Sequence, residues 1–138
     1  MIQKQSKISV SDNSGAREIM CIRIVPGTKK VATAGNVIIA VIKKALPTES
    51  LDTTTSHKSS SLSLKTVIKK SEIVLAAIIR TKAYLNRDNG FHIAFDSNAA
   101  VLIKTDKTPR GNRIFGPVAK EVKKAGLAKI VSLATYIV

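Results

Sequence analysis

The stretch VIIAVIKKAL, residues 37–46, is apolar at successive positions except for Lys43 and Lys44. Strict alternation would mark a strand with one wet face. Here both faces are apolar, which predicts a strand covered on both sides, as in the wall of a closed barrel. IVLAAII, residues 73–79, reads the same way and runs into Arg80-Thr81-Lys82. Shorter runs with a period of two surround them. Ile8 and Val10 alternate with Lys7, Ser9 and Ser11. Alternation returns at residues 19–25, with Met20, Ile22 and Ile24 expected on one face. Phe91, Ile93 and Phe95 share a face of a further strand, His92 and Ala94 lie opposite, and residues 99–104 form another.

Turn signals separate these runs: Asp12-Asn13-Ser14-Gly15, Pro26-Gly27, Asn89-Gly90 and Pro109-Arg110-Gly111. One helix is expected from about Pro117, since proline fits a first helical position. Val118, Val122 and Ala125 would share its apolar face, and Gly126 would close it. The last apolar run, residues 130–138, is expected to close against the barrel. The pattern is therefore mainly β, with five or six short strands followed by a small helix. Closing such a sheet hides its edges.

Residues 48–66 interrupt the pattern, because more than half of them are Ser or Thr. That composition buries too little apolar surface to offset chain entropy. It reads as a flexible loop inserted into a single domain spanning 1–138. A chain of 138 residues suits one domain, and 44% hydrophobic residues suffice for a core. Aromatics make up only 4%, so that core must be aliphatic.

Charge speaks to function. There are 23 Lys plus Arg against 9 acids, a net +14. An excess of one sign solubilises, but it also opposes compactness by self-repulsion, and a polyanionic partner is its natural explanation. Cys21 is the single cysteine and sits in an apolar run, so it reads as a small buried hydrophobe. The start, MIQKQSKISV, has no hydrophobic signal segment, and no apolar run approaches the ~18 residues of a membrane span. No membrane partner is expected. Without a transit peptide, an organelle using this protein would have to make it internally.

Catalysis finds no support in the residues. His57 lies in the Ser/Thr-rich loop and His92 on the polar face of a strand. There is no Cys/His cluster with metal spacing, no G-x-S-x-G elbow, no P-loop and no G-x-G-x-x-G. Asp88 and Asp96 adjoin turn residues, where carboxylates cap backbone N–H groups. No enzymatic activity, metal or cofactor is expected.

Nucleic-acid binding fits better. Cations occur in small groups at strand ends and turns: Lys29-Lys30, Lys43-Lys44, Lys69-Lys70, Arg80 with Lys82, Arg110 with Arg113, and Lys123-Lys124. Turns on a rigid scaffold present such groups to phosphates. Arg110 and Arg113 flank Gly111, which would let the backbone approach a phosphate. Arginine can fork two bonds to one phosphate, whereas lysine acts as a point charge. Phe91, Phe95 and Phe115 read as core residues, and Tyr84 as the one candidate for stacking on a base. Recognition of structured RNA by shape and backbone is the expectation.

Specific residues also carry a resemblance. VSDNSGARE at residues 10–18, MCIRI at 20–24, the run from Ala76 through Leu102 with Asn89-Gly90, NAAVLI, PRGNRIFGPVAKE and KIVSLA at 129–134 together resemble the family of universal large-subunit ribosomal protein fourteen. MCIRI is similar to its plastid and bacterial form. Ala77 stands where that family has a larger aliphatic residue. Residues 48–66 replace a short proline-containing loop, and Thr135-Tyr136 replaces Pro-Glu.

The resemblance implies a closed five-stranded β-barrel with a short C-terminal helical region. It implies binding to large-subunit rRNA near the subunit interface and a bridge to small-subunit rRNA. Its implied protein partners are neighbouring large-subunit proteins and a ribosome-silencing factor. Matching positions give Asn13, Ser14, Arg17, Lys69, Lys70, Arg80, Arg110, Gly111 and Arg113 as RNA-facing residues. Lys43, Lys44, Lys82, Lys123 and Lys124 join them from the charge pattern. A plastid (chloroplast) ribosome and an organelle-encoded chain are implied, with a bacterial cytoplasm as the alternative location. A free protein-docking module with a basic surface is the alternative function.

Overall fold

The computed structural model describes residues 1–28, 30–46 and 68–138. The strands are β1 (Lys7–Val10), β2 (Ala16–Val25), β3 (Val37–Ala45), β4 (Ile73–Arg80), β5 (Leu85–Asn86), β6 (His92–Ile93), β7 (Ala99–Ile103), β8 (Pro117–Val118) and β9 (Tyr136–Ile137). The helices are α1 (Glu121–Lys124) and α2 (Ala128–Leu133). β1, β2, β3, β4 and β7 close into a five-stranded barrel, as expected. Neighbours are antiparallel except where β1 meets β7, which run parallel.

Closure rests on a short ladder, Ser9 opposite Ala99 and Val10 opposite Ala100. Beyond it the Ser11 N–H still donates to the Ala100 carbonyl at 3.0 Å. The next rung comes from a side chain. The buried Asp12 carboxylate accepts the Leu102 N–H through Oδ2 and the Ser14 N–H through Oδ1, both at 2.8 Å. Asp12 thus extends the seam and folds the turn that follows.

The barrel interior alternates large and small side chains, which suits a narrow closed sheet. Ile38 faces Ala76, which faces Leu102, while Ile78 faces Ala100. A second core lies outside the wall. Ala77 and Ile79 of β4, with Ala99, Val101 and Ile103 of β7, pack against Ile114, Val118, Val122, Leu127 and Ile130. The C-terminal segment therefore covers the outer face of β4 and β7. This accounts for the doubly apolar run at residues 73–79.

Several expectations need correction. β3 is covered on one face only: Ile38, Ala40 and Ile42 are buried, whereas Val37, Ile39 and Val41 are half-buried. In β2 the buried residues are Ala16, Ile19, Cys21 and Ile24, so Met20, Ile22 and Ile24 do not share the inward face. A register shift between Cys21 and Arg23 switches the inward face midway, which strict alternation misses. The helix begins at Glu121, and Pro117-Val118 forms a strand instead. Residues 130–138 do not close against the barrel as one run. Ile130 is buried within α2, and Tyr136-Ile137 pairs in parallel with Pro117-Val118. Phe91 and Phe115 are exposed, at 67% and 54%, and only His92-Ile93 of the Phe91–Phe95 run pairs as a strand, opposite Leu85-Asn86 across the Asn89-Gly90 turn. Residues 48–66, read as an inserted loop, lie outside the described residues.

Arg87 ties the hairpin of β5 and β6 to the C-terminal segment. Its guanidinium bonds Glu121 Oε1 at 2.8 Å and Oε2 at 3.3 Å, and donates to the Val138 carbonyl at 2.8 Å. Burial works to raise the Glu121 pKa, but the Arg87 hydrogen bond, backbone bonding and nearby positive charge outweigh it, so the pKa is lowered. A carboxyl depressed by folding contributes stability above its ordinary value near 4.5, and that contribution fades as pH falls through the lower folded value. Melting curves should therefore show a loss of stability below about pH 4.5 that is smaller in Arg87→Gln. For the seam, Asp12→Ala leaves the Leu102 N–H without its acceptor and should cost about 1–3 kcal/mol in denaturant unfolding. Asp12→Asn, which keeps an acceptor oxygen, should cost less.

Candidate nucleic-acid interface

The topology decides which loops meet. With β1 and β7 parallel and the other neighbours antiparallel, one end of the barrel collects the end of β1, the start of β2, the end of β3, the start of β4 and the end of β7. Asn13, Ser14 and Arg17 emerge there from the β1–β2 turn. Lys43 and Lys44 come from the end of β3, Lys69 and Lys70 from the approach to β4, and Arg110, Gly111 and Arg113 from the segment after β7. Residues far apart in sequence thus share one rim.

An open groove of about 720 Å³ runs across this rim. Arg17, Lys43, Lys44, Lys69 and Lys70 line it with Ala45, Leu46 and Ile68. All five cationic residues are exposed. Glu18 interrupts the positive field. It pairs with Lys44 at 2.9 Å and Lys7 at 3.7 Å, and the Lys44 hydrogen bond leads the causes that lower its pKa. Lys43, Lys70 and Arg17 make no ion pair among the described residues. This arrangement places five cationic side chains within reach of a run of phosphates.

Beside the groove, Asn13 organises the turn after Pro109. Its Oδ1 accepts the Asn112 N–H at 2.8 Å and the Arg113 N–H at 3.1 Å. Gly111 is buried under it, and a Cβ there would lie 2.6 Å from Asn13 Oδ1 and 3.1 Å from Asp12 Cβ. Glycine is needed to admit Asn13, so the expected open backbone at Gly111 is filled by a side chain instead. Arg110 Nη1 pairs with Glu72 Oε1 at 3.0 Å, with both side chains partly exposed. Arg113 is exposed and makes no ion pair among the described residues. Ser14 contributes its N–H to Asp12, while its buried Oγ has no hydrogen-bond partner among the described residues.

The remaining sequence candidates lie elsewhere. Arg80, at the other end of β4, turns inward. Its Nη1 donates to the Phe115 and Pro117 carbonyls at 3.0 and 3.2 Å, Nη2 to Ser11 Oγ at 2.8 Å, and Nε to Ser97 Oγ at 3.3 Å. Burial lowers its pKa. Gly116, at φ +80°, makes room: a Cβ there would sit 2.9 Å from Arg80 Nη1. Arg80 is thus held by protein acceptors on every nitrogen. Lys82 is exposed, and its backbone N–H donates to Asn98 Oδ1 at 2.8 Å. Lys123 and Lys124 lie on α1, away from the groove, where Lys124 approaches Asp88 at 3.8 Å.

Sequence reasoning missed Glu72, an acid between Lys70 and β4 that meets Arg110 only in the folded chain. It also missed the exposure of Phe91 and Phe115. Tyr84, read as a candidate for base stacking, is 75% exposed. Among the described residues no group of three His, Cys, Asp or Glu residues could hold a metal ion. Among the described residues no helix is long and apolar enough to cross a membrane.

A family model described as ribosomal protein L14p/L23e matches residues 1–138. The chain belongs to this family, whose members are structural proteins of the large ribosomal subunit and not enzymes.

The two arginine environments predict opposite outcomes. Arg80→Ala should lower stability by about 2–3 kcal/mol, since it strips charged hydrogen bonds from carbonyls beside the second core. Arg110→Ala combined with Arg113→Ala should cost no more than about 1 kcal/mol, because only a partly exposed ion pair is lost. Thermal unfolding of both variants measures the contrast.

Proposed function

We propose, from membership of the L14p/L23e family, that this chain binds large-subunit rRNA through the basic end of its barrel. In this reading it sits near the subunit interface and helps form a bridge to small-subunit rRNA. The carrying observation is the convergence of Arg17, Lys43, Lys44, Lys69 and Lys70 around one groove, with Arg110 and Arg113 beside it. Seven cations on rigid strand ends and braced turns can match the phosphates of a folded RNA without reading base edges. Arg113 offers a fork and the lysines point charges, which suits backbone contact.

Lys82, Lys123 and Lys124 are exposed but lie off this surface, and the reading assigns them no place in the groove. Arg80 acts within the protein. Tyr84, Phe91, Tyr136 and Ile137 are exposed on a charged molecule, which supports contacts with neighbouring large-subunit proteins or with a silencing factor. The proposal extends to a plastid ribosome on the likeness of residues 20–24 to that form, and treats 48–66 as an insertion in a single domain.

Binding to purified large-subunit rRNA should fall steeply with salt. For ~6–10 phosphate contacts, affinity should drop by roughly 10³–10⁵ between about 50 and 200 mM. A flat response, or sedimentation of the tagged chain away from large subunits, would instead favour a free docking module.

A further inference from the structure

Glu72 is an acid set between two groups of cations on a protein of net charge +14. On electrostatic grounds alone it weakens attraction to any polyanion. Its contacts give it another role. Oε1 accepts from Arg110 Nη1 at 3.0 Å, and Oε2 accepts the Lys69 N–H at 3.3 Å. The carboxylate therefore joins the turn carrying Lys69 and Lys70 to the turn carrying Arg110 and Arg113, across 38 residues of chain.

Its own backbone is anchored. The Ile42 N–H donates to the Glu72 carbonyl at 3.0 Å, and the Ser71 N–H donates to the Ile42 carbonyl at 2.9 Å. Both bonds fix the turn to β3, inside the barrel wall. Ser71 adopts φ +68°, a conformation disfavoured for a side-chain-bearing residue and kept where surroundings dictate it. From the other side, Asn13 holds the backbone of Asn112 and Arg113. Glu72 is thus the link between two turns that are each separately fastened to the barrel.

We propose that Glu72 is a positioning residue for RNA: it fixes the separation of the Lys69-Lys70 and Arg110-Arg113 turns so that one run of phosphates meets both. The proposal rests on the rRNA-binding reading. It assigns part of that binding to a negatively charged residue that touches no phosphate itself. Two mobile cationic turns would lose conformational freedom on binding, whereas turns already braced lose little.

The test compares the full-length chain with Glu72→Ala, Glu72→Gln and Glu72→Asp, using large-subunit rRNA as the probe over a range of salt. Each phosphate contact contributes a slope of about 0.9 in the log–log salt plot, which corresponds to roughly fivefold in affinity at ~0.15 M salt. The expected result is that Glu72→Ala binds roughly fivefold or more weakly with a shallower slope, although it is more positive than the parent. Glu72→Asp, which keeps a carboxylate, should recover part of the loss, and Glu72→Gln less. In an Arg110→Ala background the Glu72→Ala change should have little further effect, since the two act as one unit.

Unchanged or tighter binding by Glu72→Ala would overturn the proposal and leave Glu72 as a charge moderator. A lowered melting temperature with full affinity in the folded fraction would also overturn it, assigning Glu72 to stability. If Glu72→Ala fails to fold, Glu72→Gln decides by the same measures. If the parent chain itself shows no salt-sensitive rRNA binding, the functional reading fails independently of Glu72.

Discussion

The Asp12 carboxylate is the constraint on which the rest of the molecule depends. A five-stranded barrel must join its first strand to its last, and here the backbone supplies a ladder of just two residue pairs. Asp12 lengthens that seam by bonding the Leu102 N–H. The Leu102 carbonyl accepts the Arg110 N–H at 2.8 Å. One residue of β7 thus bonds the loop after β1 through its N–H and the segment that presents the arginines through its carbonyl. Closure of the core and placement of the rim are the same event, because both pass through this seam.

The cations divide by what surrounds them. Arg80 and Arg87 point into protein acceptors and hold the C-terminal segment against the barrel. Arg17, Lys43, Lys70 and Arg113 stay exposed on the rim. Arginine suits the inward role because its planar fork reaches several carbonyls at once and keeps its charge in a half-buried place. This division explains how a chain of such net charge stays compact. The inward arginines sit among carbonyl and hydroxyl oxygens and the Glu121 carboxylate, while the outward cations are spread around an open groove in water.

The barrel was legible because its strands carry a physical signature that depends on sequence alone. Short, β-branched apolar runs at 37–46 and 73–79, bounded by turn residues, and alternation at Ile8 and Val10 fit strands of a barrel wall. The inward face of β2 was not legible. One extra residue near Ile22 exchanges inside for outside, and nothing in the composition of that run signals it. The C-terminal segment was misread for another reason. Pro117 fits both a helix start and an edge strand, and only pairing with Tyr136 selects the strand. The grouping of candidate cations was half visible: turns could be located, but which turns share an end of the barrel follows from strand order. At Arg80 and Gly111 the fold adds what the sequence hides: the guanidinium meets protein acceptors and the glycine admits Asn13, and neither neighbour is close in sequence.

Cys21 offers a last consequence. Its side chain is fully enclosed inside the barrel, and burial raises its pKa. The thiolate that alkylating or oxidising reagents attack is therefore both scarce and out of reach while the wall is intact. Modification must wait for the wall to part. The rate at which a dye labels this lone thiol thus becomes a clock for the opening of the barrel, readable in the natural sequence without adding any reporter.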